Sequence, residues 1–156
     1  MAQERNQSRG DRSSQHVRDV MTANPKTVTE RDSVLDAARI MRDSDTGIVP
    51  VVNGRKIIGL VTDRDIVVRA IADGKDINNC RVNEVMSKQV RTVKEDASVR
   101  EVLDVMSGAQ IRRVPVVNGN NELVGIVSMK DIATETNADN KVGQAVEDIS
   151  QGPANN

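Results

Sequence analysis

Two short patterns carry most of the chemistry open to this chain, Thr62-x-x-Asp65 and Ser128-x-x-Asp131. Each places a hydroxyl and a carboxylate three residues apart, just after an apolar run and at the expected start of a helix. One use of such a pair is a capping box, in which the side chains satisfy amides of the first helical turn. The other is ligand binding, since a carboxylate accepts from sugar hydroxyls and free helix amides favour phosphate. Gly59 and Gly125 precede the two pairs by three residues, in strands where glycine is unfavourable unless something approaches the backbone closely. A cleft fits that requirement, and a hydroxyl, a carboxylate and free amides together suit a nucleoside or nucleotide.

Catalysis has little to work with. His16 is the only histidine and Cys80 the only cysteine, so no Ser/His/Asp or Cys/His set exists, no Cys/His set holds zinc, and an internal disulfide is excluded. A Cys80 disulfide between two chains stays formally open. Phe, Tyr and Trp are absent, so the core must be aliphatic and a bound base cannot stack on an aromatic ring. The chain of 156 residues carries a formal net charge of −1 with acids and bases interspersed, which argues against nucleic acid and an anionic membrane as partners. No apolar run is long enough to span a bilayer and the N-terminus has no signal-peptide core, so a cytoplasmic protein is expected.

The elements that must position the two patterns occur twice. Val49-Pro50-Val51-Val52-Asn53-Gly54 leads into Ile57-Ile58-Gly59-Leu60-Val61, and Val114-Pro115-Val116-Val117-Asn118-Gly119 leads into Leu123-Val124-Gly125-Ile126-Val127. Each reads as strand, Asn-Gly turn and strand. Upstream, Val17 to Met21 matches Val82 to Met86, Thr27-Val28 matches Thr92-Val93 as a short strand, and Ser33-Val34 matches Ser98-Val99 as a helix start. Val34, Ala37, Ala38 and Met41 fall on one helical stripe, and Val99, Val102, Leu103 and Met106 repeat it. Each copy is therefore strand, helix, strand, strand, helix, an α/β (α+β) unit whose three-stranded sheet leaves apolar surface that one copy cannot bury. The copies are expected to pack together about a pseudo-twofold axis.

Composition divides the chain into a disordered tail at 1–16, a first repeat at 17–73, a linker at 74–80, a second repeat at 81–136 and a tail at 137–156. Val142, Ala145, Val146 and Ile149 would allow one short helix in that last stretch. The helix after the first pattern carries Ile66, Val67, Val68, Ala70 and Ile71, more apolar surface than one sheet face needs. Either the surplus is buried against the second repeat or it forms a homodimer interface.

The succession of Asp-Val-Met, Pro-x-Thr-Val, an amphipathic helix, Val-Pro-Val-Val-Asn-Gly and Gly-Leu-Val-Thr-x-x-Asp resembles the CBS domain, named for cystathionine beta-synthase. The resemblance covers nearly everything from Val17 to about Thr136 and is similar to stand-alone tandem CBS proteins, including the hypoxic response protein type. It implies a CBS pair (Bateman module) whose clefts between repeats take AMP, ADP, ATP or S-adenosylmethionine, with no cofactor required. By motif, Asp65 and Asp131 would hold ribose hydroxyls, and Thr62 and Ser128 would contact ribose or phosphate. The backbone around Ile48-Val49-Pro50 and Arg113-Val114-Pro115 would meet the adenine edge, and Thr27 and Thr92 would lie at the cleft mouth.

The copies also differ. Arg112-Arg113 stands where the first copy has Gly47-Ile48, and Asp63 stands where the second has Met129, followed by Lys130. The arginines are either a phosphate site or a solvated pair, and an anionic ligand should prefer the second copy. The expected function is a non-enzymatic sensor of an adenosine-containing ligand, acting through a homodimer or a protein partner. The alternative is a ligand-free interaction module whose Thr/Ser-x-x-Asp pairs are only helix caps.

Overall fold

The computed structural model describes residues 15–136, and the expectations for residues 1–14 and 137–156, including the short helix at 142–149, lie outside that range. The elements are β1 (Thr22–Ala23), α1 (Val34–Ser44), β2 (Ile48–Asn53), β3 (Lys56–Thr62) and α2 (Asp63–Ile66), which runs on into a π-helical turn (Val67–Ile71). They continue with β4 (Val93–Lys94), α3 (Val99–Ala109), β5 (Arg113–Val117), β6 (Leu123–Ser128) and α4 (Met129–Thr136). This is the mixed α+β content expected from the two alternating patterns.

Helices α1 and α3 start where the serines place them. Ser33 Oγ accepts the Asp36 N–H at 3.0 Å and Ser98 Oγ accepts that of Glu101 at 3.1 Å. Only Ser98 has the reciprocal bond, its own N–H donating to Glu101 Oε1 at 3.1 Å. The buried faces are Val34, Ala37 and Met41 in α1 and Val99, Val102, Leu103 and Met106 in α3, the stripes read from spacing. Asp45 and Gln110 close these helices in the left-handed region (φ 51° and 56°), without the glycine that usually marks such an end.

The Asn-Gly expectation holds for one hairpin. Between β2 and β3, Gly54 takes φ 64°. In the longer loop between β5 and β6 the left-handed residue is Asn121 (φ 63°), so the extra length moves the reversal past Gly119.

The described chain forms two compact units, one from residues 15–23, Arg91–Asn118 and 124–136, the other from Asn24–Val90 and Gly119–Leu123. In the second-repeat unit the strand order is β1-β6-β5-β4, with β1 antiparallel to β6 and β4 parallel to β5. The first-repeat unit has the β2–β3 hairpin, flanked by single bridges from Ser87 to Leu60 (antiparallel) and from Val28 to Val51 (parallel). The three-stranded expectation is thus corrected to four positions. The added edge in each unit is the Met21–Ala23 or Met86–Ser87 stretch, which in sequence precedes the other repeat.

That exchange is held by backbone bonds and by burial. Val17 N–H donates to Ala97 O at 2.8 Å and Val99 N–H to Gln15 O at 2.8 Å, while Val82 N–H donates to Asp32 O and Val34 N–H to Cys80 O, both at 2.8 Å. Val17 and Val20 join the second-repeat core, and Val82, Val85 and Met86 join the first. Each such side chain contributes roughly 1.5 to 3 kcal/mol when fully buried, so neither sheet is complete without its borrowed segment. Cys80, expected on a surface connector, is instead 3% exposed in the first-repeat core, where burial raises its thiol pKa. A buried thiol of that kind is a poor partner for an interchain disulfide.

Candidate ligand site

Strand β3 delivers Thr62 in extended geometry (φ −112°, ψ 163°) at the first turn of α2. Its Oγ1 accepts the Asp65 N–H at 3.0 Å, and its own N–H donates to Asp65 Oδ2 at 2.9 Å. Strand β6 repeats the arrangement: Ser128 Oγ accepts the Asp131 N–H at 3.0 Å and Ser128 N–H donates to Asp131 Oδ2 at 3.0 Å. Both pairs are therefore complete capping boxes.

The cap engages one oxygen of each carboxylate and fixes its direction, so capping and ligand binding do not compete for the same atom. The remaining oxygens differ. Asp65 Oδ1 lies 4.0 Å from Arg69 Nε, and the Arg69 guanidinium also donates to Val85 O at 3.2 Å. Asp131 Oδ1 makes no hydrogen bond or ion pair among the described residues.

Each helix start is tied to the strand beginning beside it. Asp63 N–H donates to Gly47 O at 2.9 Å, and Met129 N–H donates to Arg112 O at 2.8 Å. These bonds establish in space the pairing of Gly47 with Arg112 and of Asp63 with Met129 that the sequence alignment required. They also bring Ile48 opposite Thr62 in register. Arg112 is exposed and Arg113 half-buried at the opening of β5, on the unit that carries Ser128 and Asp131.

The other expected site residues take mixed positions. Ile48, Val49, Pro50, Val114 and Pro115 are buried, so their side chains belong to the cores and what they offer a ligand is backbone. Pro50 O is already engaged by Val28 N–H at 3.1 Å. Thr27 and Thr92 are half-buried just before the strand positions Val28 and Val93. Thr92 lines an open depression of about 510 Å³ with Lys94, Asp96 and Glu101, to which Ser128, Asp131 and Arg112 do not contribute.

The two strand glycines are crowded by protein and do not mark a cleft. A Cβ on Gly59 would lie 2.8 Å from the Ser87 carbonyl and 3.1 Å from Met86 Sδ. One on Gly125 would collide with Met21 Sδ and lie 2.9 Å from the Thr22 carbonyl. What approaches these glycines is the borrowed edge segment of the chain itself. Sequence reading also missed Thr46, whose Oγ1 sits 3.4 Å from both Ile48 N and Ile48 O in the loop beside Thr62.

Among the described residues no helix is long and apolar enough to cross a membrane. Nor does any group of three or more His, Cys, Asp or Glu side chains assemble that could hold a metal ion.

The model of the family described as CBS domain matches residues 17–71 and again 82–137. The uncharacterised protein YlbB of Bacillus subtilis is 41% identical over 138 residues, covering 87% of this chain and 92% of that protein. Hypoxic response protein 1 of Mycobacterium tuberculosis is 39% identical over 118 residues, covering 75% of this chain and 82% of its own. A crystal structure of Hypoxic Response Protein I with two coordinated zinc ions superposes with a TM-score of 0.72 at 38% identity, over 78% of this chain and 98% of that one. The CBS domain pair of protein MJ0100, in complex with 5′-methylthioadenosine and S-adenosyl-L-methionine, gives a TM-score of 0.68 at 32% identity, over 77% and 94%.

Proposed function

This chain belongs to the CBS domain family, and on that premise we propose that it is a cytoplasmic, non-enzymatic regulatory protein that binds an adenosine-containing ligand. AMP, ADP, ATP and S-adenosylmethionine define the class. The observation that carries the reading is the duplicated capping box that spends one oxygen of Asp65 and Asp131 and holds the other in a fixed direction. A fixed carboxylate oxygen accepts from a ribose diol without paying to order the side chain. Thr62 stands beside Asp65 and Ser128 beside Asp131, each within its own capping box, and in this reading the backbone at Ile48–Pro50 and Arg113–Pro115 meets an adenine edge, with Thr27 and Thr92 at the mouth. Arg112 and Arg113 suit a phosphate through forked, charge-assisted donors. The adenosine ligands of the MJ0100 pair support this class.

The same reading includes a homodimer. Val67, Val68 and Ile71 are 54%, 47% and 60% exposed in the isolated chain, because the wide turn closed by Ala72 N–H on Val67 O at 2.8 Å directs them away from the buried Ile66 and Ala70. Ligand occupancy regulates the dimer, or a protein partner, to the extent that it binds the two states with different affinity. Sedimentation of the wild type should give a dimer and Ile71→Glu a monomer; a monomeric wild type would remove the dimer from the proposal.

Thermal melting tests the ligand. A ligand at a hundred times its Kd adds about 2.7 kcal/mol of stability, several degrees of Tm for a domain of this size. AMP, ADP, ATP or S-adenosylmethionine should produce such a rise. Unchanged melting with all of them would leave the interaction-module reading, in which both boxes serve only as caps.

A further inference from the structure

The two helix starts are built alike, yet the space beside them is filled differently. In the second-repeat unit the residue whose carbonyl anchors the helix is Arg112, and the anchored residue is Met129. In the first-repeat unit the same two places hold Gly47 and Asp63. Asp63 folds back over Gly47: a Cβ on that glycine would lie 2.9 Å from Asp63 Oδ2, 3.2 Å from Cγ and 3.3 Å from Oδ1. Oδ1 meanwhile accepts the Arg64 N–H at 2.8 Å. Gly47 has no left-handed φ, so its lack of a side chain answers to space and not to backbone conformation.

The first repeat therefore carries an anion beside its helix start, where the second has the apolar Met129 and, in place of Gly47, the exposed cationic residue Arg112. A carboxylate pressed on the loop and bonded to a helix amide uses the volume and the donor that a ligand phosphate would want, and it repels that phosphate as well. We propose that Gly47 and Asp63 make the first repeat selective for adenosine ligands whose 5′ substituent is uncharged or cationic, such as a thioether or sulfonium, while the second repeat takes the phosphorylated ones. The inference rests on the adenosine-binding reading above and assigns Asp63 as the residue that sorts ligands by charge. It leaves Thr62 and Asp65 the same ribose role as their counterparts, so the two repeats share a nucleoside and differ at its 5′ end.

The test isolates the first repeat by working in an Asp131→Ala protein and measuring Kd for 5′-methylthioadenosine and for AMP by calorimetry. The expected result is a preference of about tenfold or more for the uncharged nucleoside, as one like-charge contact at partly exposed positions gives. Asp63→Asn in that background should bring the two affinities within about threefold by improving AMP and leaving 5′-methylthioadenosine unchanged. Raising the salt should narrow the gap only while Asp63 is present. AMP binding as tightly as the nucleoside, a ratio that Asp63→Asn does not move, or loss of both ligands from the Asp131→Ala protein would overturn the assignment. Those failures differ from failure of the underlying reading, which would appear as a wild type that binds none of the adenosine ligands.

Discussion

Replacing Asp131 by Ala is expected to weaken AMP binding by about a hundredfold while lowering stability by only about 1 kcal/mol. The stability part is the lost cap, since the Oδ2 bond to Ser128 N–H disappears and the helix keeps its other contacts. The affinity part comes from the second oxygen. Hydrogen bonds to a charged group contribute roughly 1.5 to 3 kcal/mol each, and two ribose hydroxyls on one carboxylate reach about two decades of Kd. Asp65→Ala should cost less, because Asp65 Oδ1 already has Arg69 at 4.0 Å and a second carboxylate, Asp63, stands two residues before it. Ser98→Ala is the matched control: Ser98 and Glu101 form a capping box of the same geometry at α3, so its loss should lower Tm similarly and leave Kd unchanged. Equal affinity losses at Asp65 and Asp131 would remove the inequality of the two repeats. A melting change without any affinity change at Asp131 would make its box a cap and nothing more.

Gly125→Ala is expected to destabilise the protein by about 1 to 3 kcal/mol, a large effect for one methyl group. The new Cβ meets Met21 Sδ, which can swing aside, and the Thr22 carbonyl at 2.9 Å, which cannot without loosening the β1–β6 pairing. Met21→Ala in the same protein should therefore recover only part of the loss. Gly108→Ala provides the opposite sign. Gly108 lies inside α3 with nothing within 4 Å of a Cβ, so that change should stabilise by about 1 kcal/mol through helix propensity. Denaturant titration separates the cases. If Gly125→Ala melts like the wild type, the edge segment is not held against β6 as described.

Much of this architecture was legible because it depends on local rules that the chain states twice. The stripes at Val34 and Val99, the serine caps and the Thr/Ser-x-x-Asp boxes follow from periodicity and capping chemistry within a few residues. What sequence did not reveal is which copy each of the matched stretches Val17 to Met21 and Val82 to Met86 packs on. Alignment places that stretch at the head of its own repeat, whereas burial of Val17 with Leu103 and of Val82 with Val34 is a long-range choice that periodicity does not encode. The same ambiguity misdirected the reading of the glycines, since close approach to Gly59 and Gly125 was correctly required but what approaches is an edge segment of the chain itself, Met86–Ser87 or Met21–Thr22. The Asp63 carboxylate over Gly47 was visible only as a charge difference. Its position needed the bond between Asp63 N–H and Gly47 O to be seen. Cys80 was misplaced for a related reason, as Gly and Asn around it describe the loop and not the side chain that the loop turns inward.

The central claim is that the duplicated boxes hold an adenosine ligand as well as a helix. Calorimetric titration of AMP into the wild type and into an Asp65→Ala/Asp131→Ala double variant that still melts cooperatively tests it most directly. Saturable heat in the wild type that is lost in the folded double variant is the expected outcome. Equal heat in both proteins, or none in the wild type with AMP, ADP, ATP, S-adenosylmethionine or 5′-methylthioadenosine, would contradict it.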